Sequence, residues 1–233
     1  MALLQGVDGC RGGWLVVSAA WGPGGWGRFE WQLQPQLGAW LAAEPGAITA
    51  IDMPIGLAAA APRPCDLLAR QRLGARRSSV FPAPVRVALQ AGDYPTACSL
   101  SQAACGKKIS KQSYNLFPKI RQLDDVLQLD PALRLRVHEV HPELAFSCWN
   151  GGVPMAEAKK TAAGAAQRRA LVEREFPGLA LNIRAHGPAR LLANDDILDA
   201  LACLWSARRL HQGIALSLGG EVDDTGLAMR ISA

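Results

Sequence analysis

The chain has 233 residues, 49% of them hydrophobic, and carries 25 Lys/Arg against 20 Asp/Glu. That is enough to bury a sizeable core in a single domain over 1–233, the hydrophobic content supports a globular protein, and the charge excess is modest. No apolar run approaches the roughly 20 residues of a membrane helix, and no basic segment with an apolar core opens the sequence, so the expectation is a cytoplasmic protein with no membrane partner. Six cysteines without a C-x-x-C pair or an adjoining histidine cluster give no indication of a zinc site or a disulfide framework.

In chain order, LLQGVD and WLVVSAAW predict two strands joined by a glycine-rich hairpin, followed by a third strand at RFEWQLQ. QLGAWLAAE reads as a helix, and AITAID as a fourth strand ending at Asp52. A hairpin makes strands one and two antiparallel, whereas a crossover helix returns strand four parallel to strand one. LRLRVHEVH, residues 133 to 141, alternates and predicts a fifth strand. The expected fold is therefore α/β, a mixed five-stranded sheet in order 3-2-1-4-5 with strand two antiparallel and helices on its faces.

Between strands four and five lies a long basic insertion, about 60–130. It predicts helices over 64–74, 95–105 and 111–128, with RRSSVFPAPVR as a loop. From Arg63 to Arg121 it holds eleven Lys/Arg against Asp66 and Asp93, a balance that attracts polyanions, although a solvated surface has the same composition. Helices over 157–176 and 195–210 and a hairpin around 219–231 follow. Trp14, Trp40 and Trp205 fall on apolar faces and are expected in the core.

The chemistry gathers in the acids. Asp8 ends the first strand, Asp52 the fourth, and Glu139 lies near the end of the fifth, with Glu143 competing for its place. In NDDILDALACLW, Asn194 is the expected cap, and Asp196 and Asp199, three residues apart, share one face of a helix. Each acid alone has a bland explanation, as a turn residue or a charge favoured by the helix dipole. Convergence changes the balance, because carboxylates packed together repel one another and a divalent cation relieves that repulsion. All-oxygen ligation selects Mg²⁺ or Mn²⁺. His138 and His141 flank Glu139, and Lys159, Lys160, Arg168 and Arg169 could contact phosphate.

GVDGCRGGW, IDMPIGL, the block CDLLARQRLGARRSSVFPAPVR, EVHPELAF, KKTAAG and NDDILDALA together are similar to a bacterial family of unknown function described as predicted ribonuclease H-like nucleases. DDILDALA also resembles the last catalytic motif of Holliday-junction resolvases of that fold. The resemblance implies a ribonuclease H-like domain with Asp8, Asp52, and Asp196 or Asp199 as metal ligands and Glu139 as a further catalytic candidate. One departure is that Asp52 stands where the resolvase pattern has the longer Glu, which brings a metal closer to the sheet.

The leading expectation is metal-dependent hydrolysis of phosphodiester bonds in DNA or RNA, with Arg76, Arg77, Arg86 and Lys159 on the nucleic-acid backbone. Two other readings stand beside it. One is a phosphotransferase of the actin-like type, holding a nucleotide's phosphates in GVDGCRGG, with DDTG (223–226) as a possible second loop. The other is a binding module without turnover.

Overall fold

The computed structural model describes residues 1–60 and 62–233. The strands β1 (Ala2–Cys10) and β2 (Gly13–Gly22) form an antiparallel hairpin whose tight turn is Arg11–Gly12. A two-residue strand β3 (Gly25–Trp26) and β4 (Glu30–Gln34) both pair with β2. After helix α1 (Leu37–Ala43), β5 (Ile48–Asp52) runs parallel to β1, and β6 (Val137–Glu139) runs parallel to β5. The long strands therefore follow the order β4-β2-β1-β5-β6, which is the predicted 3-2-1-4-5 arrangement, with β3 an addition at the β2 edge.

The predicted fifth strand is mostly not one. Leu133–Leu135 is a turn of 3₁₀ helix, and only Val137–Glu139 joins the sheet. Strand alternation and a short helical turn cannot be told apart over so few residues.

Side chains alternate strictly across the sheet and feed two cores. Leu4, Leu15, Val17 and Ala50 pack on one face, against α9 (Asn194–His211), α6 (Pro142–Trp149), α7 (Ala162–Glu175) and α8 (Leu179–His186). Val7, Trp14, Val16 and Ile51 pack on the other, against α1 and α5 (Phe117–Leu129). Trp14, Trp40 and Trp205 are buried as expected.

The insertion is divided between these faces. Its first helix, α2 (Pro64–Leu73), contributes Cys65, Ala69 and Leu73 to the α9 side and packs on the C-terminal hairpin of β7 (Ser217–Val222) and β8 (Ala228–Ser232). The helices α3 (Tyr94–Cys105), α4 (Lys111–Asn115) and α5 belong to the opposite side. The helix expected over 111–128 is interrupted at Leu116, just before Phe117–Pro118, where a proline in the next helix's first turn is tolerated. The helix expected from 157 begins only at Ala162, capped by the Thr161 hydroxyl accepting from the Gly164 amide at 3.0 Å.

Candidate functional site: a buried acid cluster

Asp8 and Asp52 are direct partners in the parallel register of β1 and β5, so their side chains leave the sheet on one face, side by side. The third acid comes from α9, and one residue governs how close that helix comes. A Cβ on Gly6 would sit 2.2 Å from the Ala200 carbonyl oxygen and 2.2 Å from the Leu204 amide nitrogen, so the missing side chain lets the helix rest directly on β1. Asp8 is the next residue along β1 on the same face, and Asp199 precedes Ala200. The stripe Leu4, Gly6, Asp8 thus reads apolar, empty, acidic, and the helix docks on its first two members.

The electrostatics follow from this packing. Asp8 and Asp199 are buried and Asp52 is half-buried. Burial, then the charges of Asp52, Asp199 and Asp196, hold the Asp8 carboxyl well above the usual carboxylate range. Burial and Asp199 push Asp52 up to about 7, against Lys159 and a hydrogen bond from Asp8. Asp199 is raised by burial despite its cation partner. That partner is Lys159, whose Nζ lies 2.7 Å from Asp199 Oδ2 and 3.9 Å from Asp195 Oδ2. Burial works against the ammonium, but Asp199, then Asp52 and Asp8, outweigh it and raise the Lys159 pKa.

Asp196 sits at the edge of the cluster and has other work. The N-cap of α9 is Ala193 rather than the expected Asn194, and Asp196 Oδ2 accepts a hydrogen bond from the Ala193 amide at 2.7 Å. An alanine has no cap oxygen of its own, so only the reciprocal half of a capping box is made.

Glu139 is not brought to the cluster. Both its oxygens are held at 2.7 Å by the buried Arg63 guanidinium, and Oε2 also accepts from the Ile55 amide at 2.7 Å. Arg63 binds Asp66 on its other side and donates to the Ile55 and Gly56 carbonyls, tying down the loop that leaves Asp52. Glu143 is likewise held, by the buried Arg168 and by Arg76. Arg168 is therefore a core residue, not a phosphate contact.

The arginines expected at the cleft are elsewhere or engaged. Arg76 donates to Glu143 at 3.2 Å, and Arg86 is clasped between Asp124 and Asp223. Arg77 is exposed. Lys119, which was not singled out in advance, reaches from α5 to the hairpin, its Nζ donating to the Gly13 carbonyl at 2.6 Å and lying 4.9 Å from the Trp14 ring centre. Lysine in an amphipathic helix gives no sequence signal for such a reach. His141 is neutral in character, its pKa lowered by burial, and its Nε2 lies 3.3 Å from the Ser79 carbonyl oxygen.

The residues fit a hard divalent cation by donor chemistry: Asp8, Asp52 and Asp199 supply only oxygens, and a cation already sits at Asp199. Their arrangement is not that of a closed metal site, since among the described residues no three His, Cys, Asp or Glu side chains stand in coordinating array. In DDTG, Asp223 Oδ1 itself accepts from the Thr225 and Leu227 amides, filling the turn that an external phosphate would need.

No described helix is long and apolar enough to cross a membrane. Residues 6–224 match the family described as a protein of unknown function (DUF429), and the chain belongs to that family. Neither the curated proteins nor the solved structures give a match.

Proposed function

We propose that the protein has a ribonuclease H-like fold and is a metal-dependent phosphodiesterase acting on nucleic acid. The observation that carries this reading is the meeting of Asp8 and Asp52, register partners on parallel strands, with Asp199 of the docked helix. Three buried or half-buried carboxylates with pKa values pushed upward are costly to assemble, and such groups concentrate at sites of chemistry.

Asp8, Asp52 and Asp199 would hold Mg²⁺ or Mn²⁺, with Asp196, whose charge also acts on Asp8, as the alternative ligand from the same helix. When bound, such an ion supplies positive charge at the scissile phosphate and lowers the pKa of a water. Lys159 neutralises Asp199 at 2.7 Å, and were Asp199 to hold an ion instead, Lys159 would be available to a phosphate oxygen. Burial and the neighbouring acids raise the Asp8 carboxyl well above its usual range, which favours its protonated form in the absence of a cation. Arg77 and the other exposed cations of the insertion would follow the nucleic-acid backbone.

The test is cleavage of a panel of single-stranded, duplex and branched DNA and RNA with Mn²⁺ or with chelator, for wild type and Asp8→Asn. Metal-dependent cleavage by the wild type alone supports the reading. Equal activity in both proteins, or none with any substrate, overturns it.

A further inference from the structure

A second site lies at the opposite edge of β6, away from the acid cluster. A cavity of about 220 Å³ opens between the end of α5, β6 and the C-terminal hairpin. Its lining combines the apolar Ile55, Leu127 and Leu227 with Arg134, His138 and Arg230. At roughly 30 Å³ per water, the space holds about seven waters or one small organic molecule.

The charge balance of this cavity is one-sided. Arg134 donates through Nε to the Leu127 carbonyl at 2.7 Å and through Nη2 to the Gln128 carbonyl, so it is fixed by the end of α5 without a carboxylate partner. Arg230 likewise forms no ion pair among the described residues. The one acid in the lining, Glu139, has both oxygens taken by Arg63. Burial and the Arg230 charge lower the His138 pKa, leaving a neutral ring with one N–H to donate.

Both guanidiniums are also seated. A Cβ on Gly220 (φ +135°) would lie 2.9 Å from Arg230 Nη2, and one on Gly226 (φ +84°) would lie 3.1 Å from Arg134 Nη1. Each arginine lies against bare backbone of the hairpin at a glycine that only positive φ and the missing side chain permit. DDTG thus contributes through its glycine, not through its acids.

We infer that this cavity is a binding site for a small oxyanion carrying a short apolar group, a phosphate monoester or a carboxylate. The two guanidiniums and the His138 ring take the oxyanion, and Ile55, Leu127 and Leu227 take the apolar part. The site is independent of the acid cluster and stands whether or not that cluster cleaves nucleic acid.

Calorimetric titration of the full chain with inorganic phosphate, propyl phosphate and butyrate tests this, beside NMR of the His138 ring. The expected result is saturable one-to-one binding of at least one organic anion, more tightly than inorganic phosphate, with a shift of the His138 resonances. Arg230→Gln should weaken it on the order of tenfold or more, the loss of one charge-assisted hydrogen bond, with the thermal midpoint unchanged. His138→Gln, on another element, gives a second reading of the same contact. A preference between propyl phosphate and butyrate distinguishes the two anion sources. Absence of saturable binding by all three probes, or binding unaffected by both substitutions, overturns the inference.

Discussion

At the level of single residues, the acid cluster makes a statement about pH. Asp52 titrates near 7 in the folded chain and near the ordinary aspartate value of about 4 when unfolded. Between those values the folded state holds more protons, so stability falls as pH rises through that window and levels off above it. Thermal unfolding in chelator from pH 5 to 8 should show this decline, and Asp52→Asn should flatten it. A rise across the window would mean that the carboxylates are ionised together at no cost. Asp8→Asn should leave stability in chelator unchanged or higher, because it removes repulsion, and should sharply reduce the rise in midpoint that the proposed metal site would give the wild type with Mn²⁺. Lys159→Met is expected to have the opposite effect on metal: with the ammonium gone from Asp199, Mn²⁺ should raise the midpoint more than in the wild type. A smaller rise would make Lys159 a support for the metal rather than its rival.

At the level of elements, the contact between β1 and α9 decides whether the cluster exists. Gly6→Ala places a methyl carbon 2.2 Å from two backbone atoms of α9, and no flexible side chain can yield. The expected cost is about 1–3 kcal/mol or more, a drop in midpoint of at least roughly 2 °C for a chain of this size, together with loss of metal binding as Asp199 moves off Asp8. The Arg63 network is the other element-level tie. Arg63→Ala strands Glu139 and Asp66 in the core and should cost about 3–5 kcal/mol in urea unfolding, and the double variant Arg63→Ala, Glu139→Ala should cost less than the sum of the two single changes. The order of the long strands and the α9 acids were readable because hairpin and crossover rules leave few topologies and an i, i+3 pair has a fixed geometry. The fate of Glu139 was not readable. Its partner Arg63 is 76 residues away, inside an insertion whose basic composition pointed outward. The same blindness applies to Glu143 and Arg168: pairing across elements leaves no periodic trace along the chain.

For the whole molecule, the excess of basic residues means less than its count suggests. Of the eleven cations from Arg63 to Arg121, Arg63, Arg76 and Arg86 hold acids, and Arg70, Lys119 and Arg121 hold backbone carbonyls. Lys111 lies over Tyr94 and Tyr114. Arg72, Arg77, Lys107 and Lys108 remain exposed. If the chain binds nucleic acid as proposed, affinity measured against salt should lose about one unit of slope with Arg77→Ala at little change in stability, while Arg76→Ala should lower stability by loosening Glu143. An Arg77→Ala protein with an unchanged slope would remove the insertion from the nucleic-acid surface.

The direct seating of α9 on β1 also governs the order in which the chain can mature. Strand β1 meets its hairpin partner within about twenty residues, but the helix that covers Gly6 and delivers Asp199 arrives almost 190 residues later in synthesis. At ribosomal speeds of about 5–20 residues per second, the face bearing Leu4, Gly6 and Asp8 waits for roughly ten seconds or longer without its cover. During that interval the nascent sheet presents a sticky flank, and contacts of such long sequence separation form slowly. A chain stalled before residue 194 should therefore recruit holding chaperones, and release of the remaining helix should end that dependence.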